Sequence, residues 1–145
     1  MSLTSQLPHL KRRYEDLLVV LLRFSIAIVF VWFGLLKVAG YNPVFDLVNA
    51  VTPFLAVAPG LAVLGWFETL IGVGLVVNRF RSITHLLLLG HLAGTFITFI
   101  TAPEVVFTPA FPALSLAGEF VVKNLVLAIA GLVVLLHESH RRREK

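Results

Sequence analysis

Residues 17–38 read LLVVLLRFSIAIVFVWFGLLKV, and this stretch decides the fold class. Its length matches the roughly 20 apolar residues that one helix needs to cross about 30 Å of hydrocarbon. Its charged side chains are Arg23 and Lys37, one toward each end. The stretch therefore predicts a membrane-spanning helix.

Three further stretches meet the same length requirement, at residues 61–77, 82–101 and 117–137. The chain is 58% hydrophobic with a mean hydropathy of +0.92, which is too apolar for a soluble domain of this size. We therefore predict an all-α integral membrane four-helix bundle, with residues 1–145 as a single membrane domain. The lipid bilayer is its first expected partner.

Basic residues flank the predicted spans rather than forming one face. They cluster at 11–13, at Arg79 and Arg81, and in a tail at 138–145. This pattern fits topology signals and lipid headgroups, so we expect no nucleic acid partner. The positive-inside rule predicts cytoplasmic termini in a multi-pass protein of the inner or plasma membrane, with a frayed, solvated end at 140–145.

The two other connections, 39–60 and 102–118, contain neither Lys nor Arg and are predicted to lie outside. The first predicts a short amphipathic outer helix between spans 1 and 2, with Pro43 at its first helical position. The second carries three prolines, which prevent a continuous helix, and is predicted to fold over the outer mouth of the bundle.

Five ionisable groups stand out inside the predicted spans, namely Lys37, Glu68, His91, Glu119 and Lys123. A charge at the centre of a bilayer costs at least about 2.5–3.5 kcal/mol, so such groups are expected to face one another inside the bundle. Counting about 1.5 Å per residue places the four charged groups in the outer half and His91 near mid-span. This cluster is the predicted site.

Helical spacing gives each group a direction. Gly65 and Gly72 share a face with Glu68, so another helix can approach the carboxylate closely, and Glu68 is predicted to face protein. His91 begins a polar stripe with Thr95 and Thr98. On the first helix, Phe30 and Phe33 join Lys37, so we expect an apolar cavity with aromatic walls and a charged outer end.

Structural alternatives remain open for most of these residues. Glu119 and Lys123 also fit a local i, i+4 pair that only anchors the fourth helix. Lys37 also fits a side chain that reaches the outer headgroups, and Arg23 is expected to reach the cytoplasmic ones. His91 also fits a buried neutral imidazole bonded to a threonine or carbonyl.

Several chemistries are disfavoured. Without cysteine, the chain has no thiol nucleophile and no thiolate ligands of its own, so a redox role needs a bound cofactor or a partner. His91 has no second histidine at its depth, and His85 and His137 approach one another only near the cytoplasmic boundary, which weakly allows haem or a metal there. We predict no metal site and no intrinsic cofactor.

Three stretches carry a resemblance to a known family. These are the first-helix run from Phe30 to Lys37, the segment Trp66-Phe67-Glu68, and PALSLAGEFVVKNLVL at 112–127. They resemble the DoxX/DoxD family of small four-helix membrane proteins, over about residues 17–137, in the inner-membrane branch linked to reactive-chlorine stress. Asn124 departs from the pattern, since that branch more often has Asp there.

The resemblance implies redox association and oxidative stress, since the family includes a subunit of a membrane thiosulfate:quinone oxidoreductase. By position, Lys37, Glu68 and Lys123 match the family's recurrent polar residues. We therefore expect a quinone-binding accessory subunit in which Glu68, His91 and Lys37 bind the polar head or relay protons, and in which Lys37, Glu68, Glu119 and Lys123 surround the ligand. A redox partner protein or a homo-oligomer is the expected assembly. The alternatives are a non-catalytic membrane partner or assembly factor, and a small solute carrier.

Overall fold

The protein is described by a computed structural model covering residues 3–42 and 44–143. Eight helices follow one another along the chain: α1 (Leu3–Val38), α2 (Phe45–Val51), α3 (Pro53–Ala56), α4 (Ala58–Val77), α5 (Arg81–Phe96), α6 (Thr98–Thr101), α7 (Pro103–Val106) and α8 (Leu116–Arg143). Extended pairing within the described ranges is one antiparallel bridge between Phe107 and Leu114. The predicted all-α class is confirmed.

Four segments are long and apolar enough to cross a membrane: Leu10–Val38, Ala58–Val77, Arg81–Thr101 and Leu116–Arg143. They coincide with the four predicted spans, although each helix extends further at one end or both. Large apolar side chains cover their outer surfaces, as at Trp32 and Leu86, which are 65% and 71% exposed. Such surfaces fit a lipid environment, because hydrocarbon solvates them without cost.

Small residues set the distance between α1 and α4. A methyl group added at Gly65 would lie 2.5 Å from the carbonyl oxygen of Gly34, and one added at Gly72 would lie 2.8 Å from that of Ala27. Glycine is therefore required where these backbones meet, as in other closely packed membrane helices. The predicted close approach on the Gly65, Glu68 and Gly72 face is confirmed.

Two apolar clusters hold the bundle together. The larger joins all four long helices through side chains that include Ile26, Leu75, Leu88 and Val134. The smaller joins α2 to α8 through Val44, Leu47 and Val121. The helices that carry Lys37, Glu68 and His91 all contribute to the larger cluster.

The third span is not one uninterrupted helix. α5 ends at Phe96 and α6 begins at Thr98, where we predicted continuous helix over 82–101. The Thr95 and Thr98 hydroxyls donate to the carbonyl oxygens three residues earlier, at 2.7 and 2.5 Å. Threonine hydroxyls that bond the preceding turn compete with the regular ladder, which accounts for the break at Ile97.

The first connection contains the short helix α2, with Leu47 buried and Asp46 exposed, as its amphipathic pattern predicts. Pro43, expected at its first position, lies outside the described residues. The second connection is irregular beyond α7, as its prolines predict. Ser115 ends it by capping α8, since its hydroxyl oxygen accepts the Gly118 N–H at 2.9 Å.

The C-terminal end differs from the prediction of a frayed, solvated tail. α8 continues as helix to Arg143. Arg141 binds the carboxylate of Asp16, and His137 Nε2 lies 2.8 Å from the same group. These contacts tie α8 to α1 and stabilise the extra turns, while Glu144 and Lys145 lie outside the described residues.

Candidate ligand-binding site

Glu68 joins three helices through its two carboxylate oxygens. Lys37 of α1 donates from Nζ to Oε2 at 2.6 Å. His91 Nε2 of α5 lies 3.1 Å from Oε1. Three of the five ionisable residues that the sequence singled out are thus in direct contact.

These groups are buried as well as paired. The exposed fractions of the side chains are 4% for Lys37, 9% for Glu68 and 17% for His91. Lys37 therefore points into the bundle, not toward the headgroups. The pairing offsets part of the cost of removing each charge from solvent, which an isolated group would bear in full.

Local packing explains why Lys37 reaches the carboxylate. A methyl group at Gly65 would lie 2.9 Å from the Lys37 Cβ, so the glycine leaves the room that the lysine stem occupies. Gly65 stands three residues before Glu68, on the same face of α4. One turn of α4 thus supplies both the space and the counter-charge.

Aromatic rings fix the His91 imidazole. Phe30 approaches it edge-on with ring centroids 5.7 Å apart, and Phe67 lies at 5.8 Å. Because an ionised carboxylate only accepts hydrogen bonds, the nitrogen that faces Glu68 is assigned as the protonated one. In the neutral ring, Nδ1 then carries a lone pair available to a donor.

The three groups border a cavity of about 830 Å³ inside the bundle. Its walls are mostly apolar and include Phe33, Leu47, Leu64, Phe120 and Leu127. This volume and lining are those of a small-molecule site, in which a few polar groups orient an otherwise apolar ligand. The expected cavity with aromatic walls and a charged end is present.

The remaining predicted residues are placed differently. Lys123 Nζ lies 3.1 Å from Glu119 Oε2, and both side chains are more than half exposed. This is the local i, i+4 pair left open by the sequence, although Lys123 also lines the cavity. Asn124 is 5% exposed and donates from Nδ2 to Thr95 Oγ1 at 3.0 Å.

A second buried polar cluster was missed. Arg23 was expected to reach the headgroups, yet its side chain is 11% exposed and its Nη1 lies 2.9 Å from Glu138 Oε1. Arg81 and Asn78 bind the same carboxylate, each at 3.3 Å. The isolated charge of Arg23 inside an apolar run was a signal that it needed an acidic partner.

The histidines near this cluster are engaged separately. His85 Nδ1 lies 2.8 Å from the Arg81 carbonyl oxygen, whereas His137 binds Asp16. Within residues 3–42 and 44–143, no three His, Cys, Asp or Glu side chains are grouped to hold a metal ion.

Comparisons with known proteins provide no relative from which to transfer a role. No protein-family model, curated protein or solved structure matches the chain.

Proposed function

We propose that this protein is the membrane subunit of an oxidant-related or quinone-linked system, and that its cavity binds a quinone or a similar lipid-like molecule. The observation that carries the proposal is the bridge that Glu68 makes between Lys37 and His91 on the wall of an apolar cavity. Charged groups inside a membrane protein mark ligand or proton pathways by default.

Each group has a role in this proposal. Lys37 has two ammonium hydrogens beyond the one given to Glu68, and these can donate to a ligand carbonyl. His91 Nδ1 can accept the proton of a ligand hydroxyl while Nε2–H passes its own proton to Glu68. Oxidation of a bound quinol to the quinone releases two electrons and two protons. His91 and Glu68 would accept the protons one at a time, and a redox partner protein would accept both electrons, since the chain has no thiol to receive them.

The apolar walls suit the rest of such a ligand. Phe33 and Phe120 contact one another with ring centroids 5.5 Å apart and both line the cavity. Aromatic faces pack favourably against a flat ring, and the aliphatic walls suit an alkyl or isoprenoid chain. The site combines one polar end with a large apolar volume.

Two further parts of the proposal come from the sequence. The resemblance to the DoxX/DoxD family over residues 17–137 supports the redox setting. The basic residues at 11–13, at Arg79 and Arg81 and at 141–143 favour cytoplasmic termini in the inner or plasma membrane. The Lys37 end of the bundle, together with α2, then lies in the outer half.

The test is a binding titration of a short-tailed quinol analogue to protein in lipid nanodiscs. Glu68→Gln should weaken binding by about tenfold, equivalent to ~1.4 kcal/mol. Glu119→Gln is the matched control, because it removes an exposed carboxylate, and should bind like wild type. Equal affinity in wild type and Glu68→Gln would overturn the proposal.

A non-catalytic assembly factor is the second candidate. The buried Lys37–Glu68 pair and the glycine contacts between α1 and α4 favour it, since both serve helix assembly without a ligand. In that case wild type binds no quinol analogue, whereas a loss of folded yield in Glu68→Gln is expected under either proposal because the buried pair is broken in both.

A solute carrier has less support. Leu92 lines the cavity and packs with Ile26 and Leu88, each at most 1% exposed. This apolar layer separates the cavity from the Arg23 and Glu138 cluster, so a polar solute meets a dry barrier there.

A further inference from the structure

Gly90 and Gly94 differ from the glycines that pack α1 against α4. A methyl group added at either position would meet no atom within 4 Å. Both residues line the cavity, and Gly90 is itself exposed on the outside of the bundle. At this point the cavity reaches the surface of the protein.

The opening lies at the depth of the lipid hydrocarbon. Gly90 is about 14 Å along α5 from Arg81, at 1.5 Å per residue. That distance is close to half of the roughly 30 Å hydrocarbon thickness. A molecule that enters beside Gly90 comes from the lipid and not from water.

The opening also leads directly to the polar groups. His91 contacts Phe67 and Glu68 of α4, and Gly90 and Gly94 flank it on α5 within one turn. Leu64 of α4 borders the same cavity. Helical spacing therefore puts the two glycines at the edge of the face that α5 turns toward α4.

We propose that Gly90 and Gly94 form a side opening through which a membrane-dissolved ligand enters the cavity, with its polar head at Glu68 and its apolar chain extending into the lipid. The identity of the ligand rests on the proposed function, whereas the opening rests on the glycine geometry. The ligand class is a long-chain amphiphile with a small polar head, and water-soluble substrates are excluded from this route.

The absence of cysteine allows a direct test of access. Leu47→Cys places a single thiol on the cavity wall, at a position that is 6% exposed. A long-chain N-alkylmaleimide dissolved in the vesicle lipid should react with it. Combining Gly90→Leu with Gly94→Leu should slow that reaction by about tenfold, corresponding to a modest rise in the entry barrier.

Two controls accompany the measurement. Ile129→Trp enlarges an α8 side chain that is 54% exposed and is not part of the cavity wall, and it should leave the rate unchanged. Leu86→Cys, a lipid-facing position that is 71% exposed, should react equally in every background and so reports delivery of the reagent. Gly90→Leu alone, at matched folded yield, replaces the double variant if that variant folds poorly.

The outcomes separate the two proposals. An unchanged reaction rate in the glycine variants, or equal slowing by Ile129→Trp, overturns the side opening. Slowing by the glycine variants supports it, because the readout is thiol modification and requires no quinone. If the opening is supported while no quinol analogue binds wild type, the proposed function fails and the access route stands.

Discussion

Glu68 is the residue on which the site depends, because one carboxylate serves both Lys37 and His91. Breaking a buried pair leaves an uncompensated charge, which is more damaging than replacing both partners. The carboxylate is therefore expected to stabilise the fold in addition to the role proposed for it in ligand binding. A double-mutant cycle on stability measures its coupling to Lys37.

We predict that Glu68→Gln lowers the free energy of unfolding by about 3 kcal/mol, because the Lys37 ammonium loses its counter-charge. Lys37→Met combined with Glu68→Gln should cost less than the sum of the single changes by at least about 1 kcal/mol. Equilibrium unfolding in mixed micelles measures both. Glu119→Gln, in the exposed pair, is the control and should change the free energy of unfolding by less than about 1 kcal/mol. An equal loss of stability in Glu68→Gln and Glu119→Gln would contradict the assignment of a buried pair.

Arg23 gives a second prediction at the scale of single residues. Its pairing with Glu138 implies that Arg23→Gln destabilises the protein by about 2 kcal/mol, since the carboxylate loses its shortest cationic contact but keeps Arg81. Arg79→Gln is the control, because Arg79 is exposed. This substitution should change the free energy of unfolding by no more than about 0.5 kcal/mol. Thermal unfolding in detergent compares the two. An Arg23→Gln variant as stable as wild type would indicate that the Arg23 side chain reaches the headgroups instead of Glu138.

At the scale of elements, glycines on α4 and α5 have opposite structural roles. On α4, Gly65 and Gly72 admit the backbone of α1, whereas Gly90 and Gly94 on α5 border open space. Sequence spacing predicts the first role, because Gly65 and Gly72 share a face with Glu68. Sequence spacing does not predict the open space beside the α5 glycines, since that space depends on how α5 packs against its neighbours.

Gly65→Ala is therefore predicted to destabilise the fold by about 1–3 kcal/mol through overpacking against Gly34 and the Lys37 stem. Gly90→Ala should be neutral or stabilising by up to about 1 kcal/mol, because alanine favours helix and meets no neighbour. Unfolding free energies of the two variants, measured side by side, check this contrast. Equal effects would mean that α1 and α4 are not in close contact.

The elements also show how far sequence reasoning reaches. Apolar length predicts the four spans, and the spacing of Gly65, Glu68 and Gly72 predicts that the carboxylate faces protein. The break at Ile97 depends on where the threonine hydroxyls bond, which hydropathy does not encode.

Contacts between residues that are distant in sequence also could not be predicted. The pairing of Arg23 with Glu138 and the helical end of α8 both require knowing that α1 and α8 are neighbours. Periodicity within one helix names a face but not the helix that it meets. The sequence therefore grouped Lys37, Glu68 and His91, which are in contact, and allowed the local pair of Glu119 and Lys123, but it could not decide between that pair and a position around the ligand.

At the scale of the whole molecule, the proposed orientation has a direct check. Both ends of the chain should lie on the cytoplasmic side, since basic residues flank the spans there. A single cysteine in the connection at Phe111→Cys should be labelled by an impermeant maleimide from outside intact cells. Arg79→Cys should be labelled only after the membrane is opened, and the reverse pattern would contradict the orientation.

We propose that the cavity beside Glu68 holds a lipid-soluble redox ligand, and a search for that ligand in the purified protein is the decisive experiment. The protein is released from membranes and examined by native mass spectrometry, and bound small molecules are then extracted. Wild type and Glu68→Gln are compared at matched folded yield. We expect a quinone or similar amphiphile bound to wild type and depleted in Glu68→Gln. Wild type that carries no such molecule, but brings down a defined protein partner, would contradict it in favour of an assembly role.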